Sequence, residues 1–570
     1  MAVREIIIGS GDVQDINHCN RVIAGPGAGK TYWIVGQICH ILQSEVLRST
    51  SKVACITYTN KAAQNIVDHI DCGGKELYVS TIHTFLYAHI IKPYFHLIAD
   101  AEEFAIEKLD GHHDDVIIGY GTLIKVIPSK KKYLVNEFKD YSSLEKYIGK
   151  YYWHLSQNSI ELRSANNNQS PLKGFGKDEV MQYKKFVWRD YGLMHHDDVL
   201  YFSYKLIATY PCIVEMLSAQ FPYILVDEYQ DTNSIQHHIL QCLANVGTKV
   251  TIIGDKAQSI YRFAGSDIKN LTSFKAPDLQ CYRIKDNHRS TPSIVKFLNS
   301  IRIDLSQKAI LRKDYGPPVI LTGNPIETYN KAKAMCNNEE ITSLCWSNST
   351  ANLLRLNLQT SGSQNFLHNL LNNTSNKKRA HFTYYCLLGV ENARLELMNE
   401  AVYCIARAFE LNTRILEDKQ NALHLLLEIL KKESVYRNST LSDFYTSANA
   451  LRKEPLPKLQ NGTDATLFSN NYLAFAKDVH CNDEDSPHLT IHKAKGLEFN
   501  NVILIFTETD KAMSFLLTAD LDSKQDDSRL YYVACSRAKH RLFISTPTLD
   551  DPQKLSLEEK YGEEIVIDKS

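Results

Sequence analysis

Short apolar, β-branched runs alternate with polar or helix-periodic stretches through the first third of the chain. VREIIIG, RVIAG, KVACITYT and LYVSTIHTF each read as a strand followed by a polar or helical segment. A second set comprises YILVDE, KVTIIGD, ITSLCWS, LTIHKAKG, NVILIF and RLFISTP. Strands alternating with helices predict parallel sheets built from βαβ units, and two such α/β blocks account for both sets. Residues 91–187 are rich in Lys, Tyr and Asn with little strand pattern, which predicts a mostly helical insertion. Residues 362–464 carry long helical periodicity between polar linkers such as NNTSNKK and KLQNGTDA, which predicts a second, all-helical insertion. No repeat of fixed period occurs.

Composition narrows the class. The 570 residues imply several domains, and 44% hydrophobic with 23% charged content excludes wholesale disorder. No run of about 18 apolar residues is present and the start is too polar for a secretory signal, so a cytoplasmic protein is expected. The 13 cysteines are scattered without a Cys-x-x-Cys pair, so reduced thiols are expected and a zinc ribbon or disulfide scaffold is not. With 64 basic and 65 acidic side chains the net charge of −1 gives no global pull on nucleic acid, although a local basic groove is compatible with it.

Two segments carry phosphate chemistry. RVIAGPGAGKTYWI places a strand, then the loop Ala24, Gly25, Pro26, Gly27, Ala28 and Gly29, then Lys30 and Thr31 opening a helix. Glycines let backbone N–H groups curl around phosphate oxygens, Lys30 reaches the β/γ-phosphates and the Thr31 hydroxyl holds Mg²⁺. The first position of the usual G-x-x-x-x-G-K-[ST] pattern is Ala24. FPYILVDEYQDTN is an apolar strand ending in Asp227 and Glu228. Asp227 suits Mg²⁺ through water, and Glu228 suits orienting or deprotonating an attacking water.

GPGAGKT, ITYTNKAA, VSTIHTF, ILVDEYQDTN, IIGDKAQSIYRFAG, DNHRSTPSIV, LTIHKAKGLEF and RLYYVACSRAK stand in the order of the motifs of UvrD/Rep/PcrA-type superfamily 1 DNA helicases. The chain resembles that family over both α/β blocks, and the family also usually carries Ala at the Ala24 position. The resemblance implies two RecA-like P-loop domains that clamp ATP and one DNA strand. Residues 1–90 and 188–275 would form the first and residues 276–361 and 465–570 the second. Residues 91–187 and 362–464 would be the helical insertions.

The resemblance also implies residue roles. Gln258 matches a glutamine that senses the γ-phosphate, and Arg289 and Arg537 match arginines reaching it from the second domain. Glu498 matches a residue on the sugar–phosphate side of the nucleotide, and Gln14 an adenine-reading glutamine. The family stacks adenine between an Arg and a Tyr where this sequence has Tyr32 and His288, so relaxed nucleotide selectivity is expected. Tyr58, His83 and Phe263 match positions lining the single-strand path, where stacking gives about 1–3 kcal/mol per base. Thr57, Asn60 and His492 match backbone-phosphate or coupling contacts.

HHDD occurs at His112–Asp115 and His195–Asp198, but four consecutive polar residues lack zinc-type ligand spacing. About 30 residues follow the last motif, so no fused nuclease domain is expected. The small second insertion resembles compact, partner-dependent members such as the helicase-like subunit of the Gabija anti-phage system, which works with a nuclease subunit. The leading expectation is therefore an ATP-driven 3′→5′ motor on single-stranded DNA, acting with a nuclease partner in anti-phage defence. The alternative is a DNA-gated NTPase that senses DNA ends or depletes nucleotides without productive unwinding.

Overall fold

A computed structural model describes residues 5–70, 74–113, 148–149, 151–156, 159–164, 176–262, 265–357, 366–411, 415–459, 462–479, 486–523 and 525–568. The chain divides into two units: Met1–Lys313 with Asp520–Ser536, and Asp314–Ala519 with Arg537–Ser570.

The first unit is built on a seven-stranded sheet. In spatial order its strands are Ile6–Ile8, Gln280–Ile284, Asn20–Ala24, Lys249–Gly254, Tyr223–Val226, Val53–Thr57 and Leu77–Thr81. Every neighbouring pair is parallel. The apolar runs are continuous because both faces are covered, as parallel sheets require. Ala54, Ile56, Ile224, Val226, Val250 and Ile252 face one core. Val53, Cys55, Leu225 and Ile253 alternate onto the other, against Trp33, Ile34, Ile38 and Ile41 of the helix Lys30–Gln43.

The second unit holds a six-stranded parallel sheet in the order His488–Thr490, Thr342–Cys345, Phe499–Ile505, Ala538–Thr546, Val319–Thr322 and Val566–Ile567. Its helical insertion has a separate core that includes Leu370, Phe382, Leu387, Ile405, Leu426, Phe444 and Tyr472. The architecture is α/β with parallel sheets flanked by helices, as two RecA-like domains require.

Four expectations need correction. The strand Gln280–Ile284 pairs with Asn20–Ala24, so residues 276–313 belong to the first unit and not to the second block. The helical insertion continues past 464, because Phe468, Tyr472 and Phe475 close its core. The described part of residues 91–187 holds strand as well as helix, beside the start of the helix Lys177–Tyr191. It contains an antiparallel hairpin, Tyr151–Ser156 with Ser159–Ser164, whose Trp153 and Leu162 enter the first core. Finally, Cys39 is disulfide-bonded, whereas ten other cysteines are free thiols as expected. Among the described residues, no helix is long and apolar enough to cross a membrane.

Candidate nucleotide and DNA site

In a parallel sheet all strands deliver their carboxyl ends to one edge, where ligands of α/β folds bind. Here that edge gathers the loop after Ala24, Asp227 and Glu228 after Val226, Asp255 after Gly254, and Tyr58 after Thr57.

The loop Gly25–Gly29 is held from beneath by the segment after Ile284. His288 N donates to Gly27 O at 2.8 Å. Asn287 Nδ2 and Gln307 Nε2 donate to Pro26 O at 3.1 and 3.0 Å. Gly27 sits at φ 69°, and a Cβ there would lie 2.7 Å from both Arg289 Cβ and Asn287 Oδ1. Arg289 thus belongs to the first unit beside the loop, and not to the second as expected. The pairing of Gln280–Ile284 with the loop's own strand puts it there. Its guanidinium Nη1 donates to Ser536 O at 3.1 Å.

Lys30 Nζ donates to Glu228 Oε1 at 2.8 Å. Burial opposes the ammonium charge, but the Glu228 and Asp227 carboxylates outweigh it and hold Lys30 above its ordinary range. Burial, reinforced by the charge of Glu228, pushes the Asp227 carboxyl above the usual carboxylate range. Gln258 is buried, its Nε2 donating to Asp255 Oδ2 at 2.8 Å.

Around the expected base site, Tyr32 is 70% exposed and His288 Nε2 pairs with Ser10 Oγ at 3.0 Å. Gln14 donates through Nε2 to Asp12 O, while its backbone is gripped from both sides by Gln37. Sequence reasoning missed Gln37, Asn287 and Gln307, whose roles depend on partners far along the chain.

A family model of the UvrD/REP helicase N-terminal domain matches residues 12–277, and one of the UvrD-like helicase C-terminal domain matches residues 352–548. The chain belongs to the UvrD/Rep/PcrA-type helicase family. The ATP-dependent DNA helicase Rep of Buchnera aphidicola is 23% identical over 94% of this chain and 92% of its own length. The ATP-dependent DNA helicases PcrA of Bacillus subtilis and Staphylococcus epidermidis are 26% and 29% identical over 49% of the chain. Those two matches span 37% of the PcrA proteins.

In the second unit of this helicase, Glu498 precedes the strand Phe499–Ile505, whose Phe499 N donates to Arg537 O at 3.0 Å. Register therefore sets Glu498 beside Arg537, and Glu498 pairs with Lys539 at 3.2 Å. His492 lies on the short helix Ile491–Ala494.

Of the expected DNA contacts, Tyr58 stacks on Tyr261 with centroids 4.8 Å apart and planes 15° apart. Tyr58 is 38% exposed, so its ring forms a partly open platform. Tyr261 was not singled out from sequence, although the aromatic spacing in SIYRFAG was the available signal. Thr57 is buried with its hydroxyl turned back to Thr59 O, whereas Asn60 is exposed at a helix start. Phe263 lies outside the described residues.

His83 packs on His196 with ring centroids 3.8 Å apart, and His196 Nδ1 meets His112 Nδ1 at 3.1 Å. Burial and then the neighbouring His196 hold His83 well below its ordinary value, so it is neutral at pH 7. The two HHDD segments do meet, since His112–His113 pairs with Met194–His195. Their chemistry is structural where it is described. Asp198 accepts from Lys184 Nζ at 2.6 Å, Trp153 Nε1 at 2.9 Å and Trp188 Nε1 at 3.0 Å. Among the described residues no group of three or more His, Cys, Asp or Glu could hold a metal ion.

Proposed function

We propose that the protein is an ATP-dependent DNA helicase that hydrolyses ATP at the carboxyl edge of the first sheet and moves 3′→5′ on single-stranded DNA. The observation that carries this reading is the Lys30–Glu228 pair beside Asp227 and the phosphate loop. Lys30 is the phosphate-binding cation and Glu228 the base that takes a proton from the attacking water. Gln258 senses the γ-phosphate, and Arg289 and Arg537 supply the guanidinium charge that neutralises it. In the first unit Tyr32 and His288 are the rings that stack on adenine and Gln14 a further contact to it, and in the second unit Glu498 is a candidate nucleotide contact.

The residues fit Mg²⁺. Asp227 is a buried carboxylate whose charge is disfavoured until a cation compensates it, and Thr31 lies next to Lys30 at the helix start. Asp227 would hold the ion through water and Thr31 through its hydroxyl, and the ion would neutralise phosphate charge. Tyr58 with Tyr261 is the stacking platform for the strand, and Asn60, His83, Phe263 and His492 are further candidate DNA contacts. Thr57 takes part as a coupling residue behind it.

The compact helical insertion supports a narrower reading. In it the helicase works in the cytoplasm as one subunit of an anti-phage complex, beside a nuclease partner.

Strand displacement on duplexes with a 3′ or a 5′ single-stranded tail tests the motor and its polarity, with Glu228→Gln as control. Unwinding of the 3′-tailed duplex by the wild-type chain only is the expected result. DNA-stimulated hydrolysis without displacement of either duplex, alone or with the nuclease, would favour a DNA-gated NTPase instead.

A further inference from the structure

We propose that Gln230 is the positioning residue for Glu228, holding its carboxylate once Lys30 has turned to the phosphates. This inference rests on Glu228 acting as the base. Gln230 is fully buried, two residues beyond Glu228, and the two ends of its amide are used differently. Its Nε2 donates to Glu228 Oε2, while its Oε1 accepts from Asp255 N at 2.9 Å. Its backbone carbonyl accepts from Ser259 Oγ at 3.1 Å. The fit is close, because a Cβ on Gly254 would fall 2.4 Å from Gln230 Oε1.

The frame around Gln230 is rigid. Asp255 is fully buried and accepts from Gln258 Nε2 at 2.8 Å and from Arg302 at 2.9 and 2.7 Å. One carboxylate thereby seats the phosphate-sensing glutamine, while the backbone N–H of the same residue seats the holder of the base.

Glu228 needs a holder. Its backbone is left-handed at φ 51°, a conformation that surrounding contacts must maintain in a residue with a side chain. The carboxylate accepts from Lys30 on one oxygen and from Gln230 on the other. Gln230 is tied to Asp255 and stays. Small misplacements of a reacting group are costly in rate, about 100-fold for an ångström.

The test uses the full chain with ATP, Mg²⁺ and oligo-dT, and measures steady-state turnover and the binding of a fluorescent ATP analogue. Gln230→Met keeps the volume and removes both hydrogen bonds. Gln230→Glu keeps an acceptor for Asp255 N, removes the amide donor to Glu228 and sets a second carboxyl group against it. It stands in if the first variant melts early by circular dichroism. Expected is a fall in kcat of about 10–100-fold with KM and nucleotide affinity within about threefold of wild type. Added to Glu228→Gln, either change should cause no further loss in single-turnover rate. Turnover within about twofold of wild type in both Gln230 variants, with Glu228→Gln inactive, overturns the proposal. A full additional loss in the Glu228→Gln background overturns it too, because Gln230 would then act on something else. If Glu228→Gln itself turned over normally, the assignment of the base would fall, and the positioning role with it.

Discussion

Replacing Arg302 by methionine is a stringent test of the frame behind the nucleotide site. The guanidinium is 1% exposed and makes four hydrogen bonds: to Asp255 at 2.9 and 2.7 Å, and to Asp304 at 2.8 and 3.2 Å. It also lies 5.8 Å from the centre of the Tyr532 ring. Asp304 is 29% exposed and has Lys256 at 3.6 Å, so water and a second cation accommodate it. Asp255 has no such outlet. Among the described residues it keeps only Ala257 N at 3.1 Å and the neutral Gln258 amide as hydrogen-bond donors. Removing one partner of a buried pair costs about 3–5 kcal/mol, because the other charge stays uncompensated. For a unit of roughly 330 residues, the unfolding entropy of about 0.7 kcal/mol per degree converts this to a drop of about 4–7 °C in Tm. Differential scanning calorimetry without nucleotide measures it. Neutralising the survivor should recover at least half of the loss, so Arg302→Met with Asp255→Asn should melt above Arg302→Met alone. A single variant within 1 °C of wild type, or a double variant that melts lower, would refute the reasoning.

Three further outcomes are expected. Lys30→Ala should abolish ATP hydrolysis while leaving the far-ultraviolet circular dichroism unchanged, because its partner Glu228 is partly solvated; near wild-type turnover would remove the phosphate-loop assignment. Asp197 is held up to about 6 by burial, with the charge of Asp198 adding to it against the pull of Lys184. Its folded value exceeds the unfolded one, so its stabilisation is complete below about pH 4 and is lost as pH rises through 6. Asp197→Asn should melt with wild type at pH 4 and above it at pH 8, by up to about 3 kcal/mol, and equal shifts at both pH values would contradict this. Tyr58→Ala should raise the oligo-dT concentration for half-maximal ATPase by about 5–150-fold, one stacking interaction, with the DNA-independent rate unchanged; an unmoved midpoint would take Tyr58 off the strand path.

What sequence alone revealed follows from the physics of each element. VACIT, YILV and KVTIIG are buried on both faces, so they read as unbroken apolar runs. QCYRI was passed over because Gln280 and Arg283 interrupt its run near the sheet edge. The hairpin at 151–164 was missed because YYWHLS and SIELRS lie half-buried, with polar residues on the open face. The phosphate loop and the acidic strand end were legible since each is a local pattern. Gln230, Asp255, Arg302 and Gln307 were not, because a buried arginine differs from a surface one only through partners tens to hundreds of positions away. HHDD shows the reverse: its residues look like ligands, yet Asp198 is satisfied by two indoles and a lysine inside the core.

The course of the chain through the first unit also sets a clock. All seven strands of its sheet are synthesised by Ile284, but the unit is completed by Asp520–Ser536. That late segment brings Arg529, which donates to Ser259 O just after the turn Lys256–Gln258, and the Tyr532 ring near Arg302. At 5–20 residues per second, a ribosome needs about 12–50 s to travel from one to the other. Through that interval the nascent sheet waits with the back of the Lys256–Gln258 turn uncapped. A chain interrupted before residue 520 would carry the whole phosphate loop without the helix that braces its neighbour. Nucleotide-binding competence should therefore emerge late in translation, as the last act of a unit that began with the first strand.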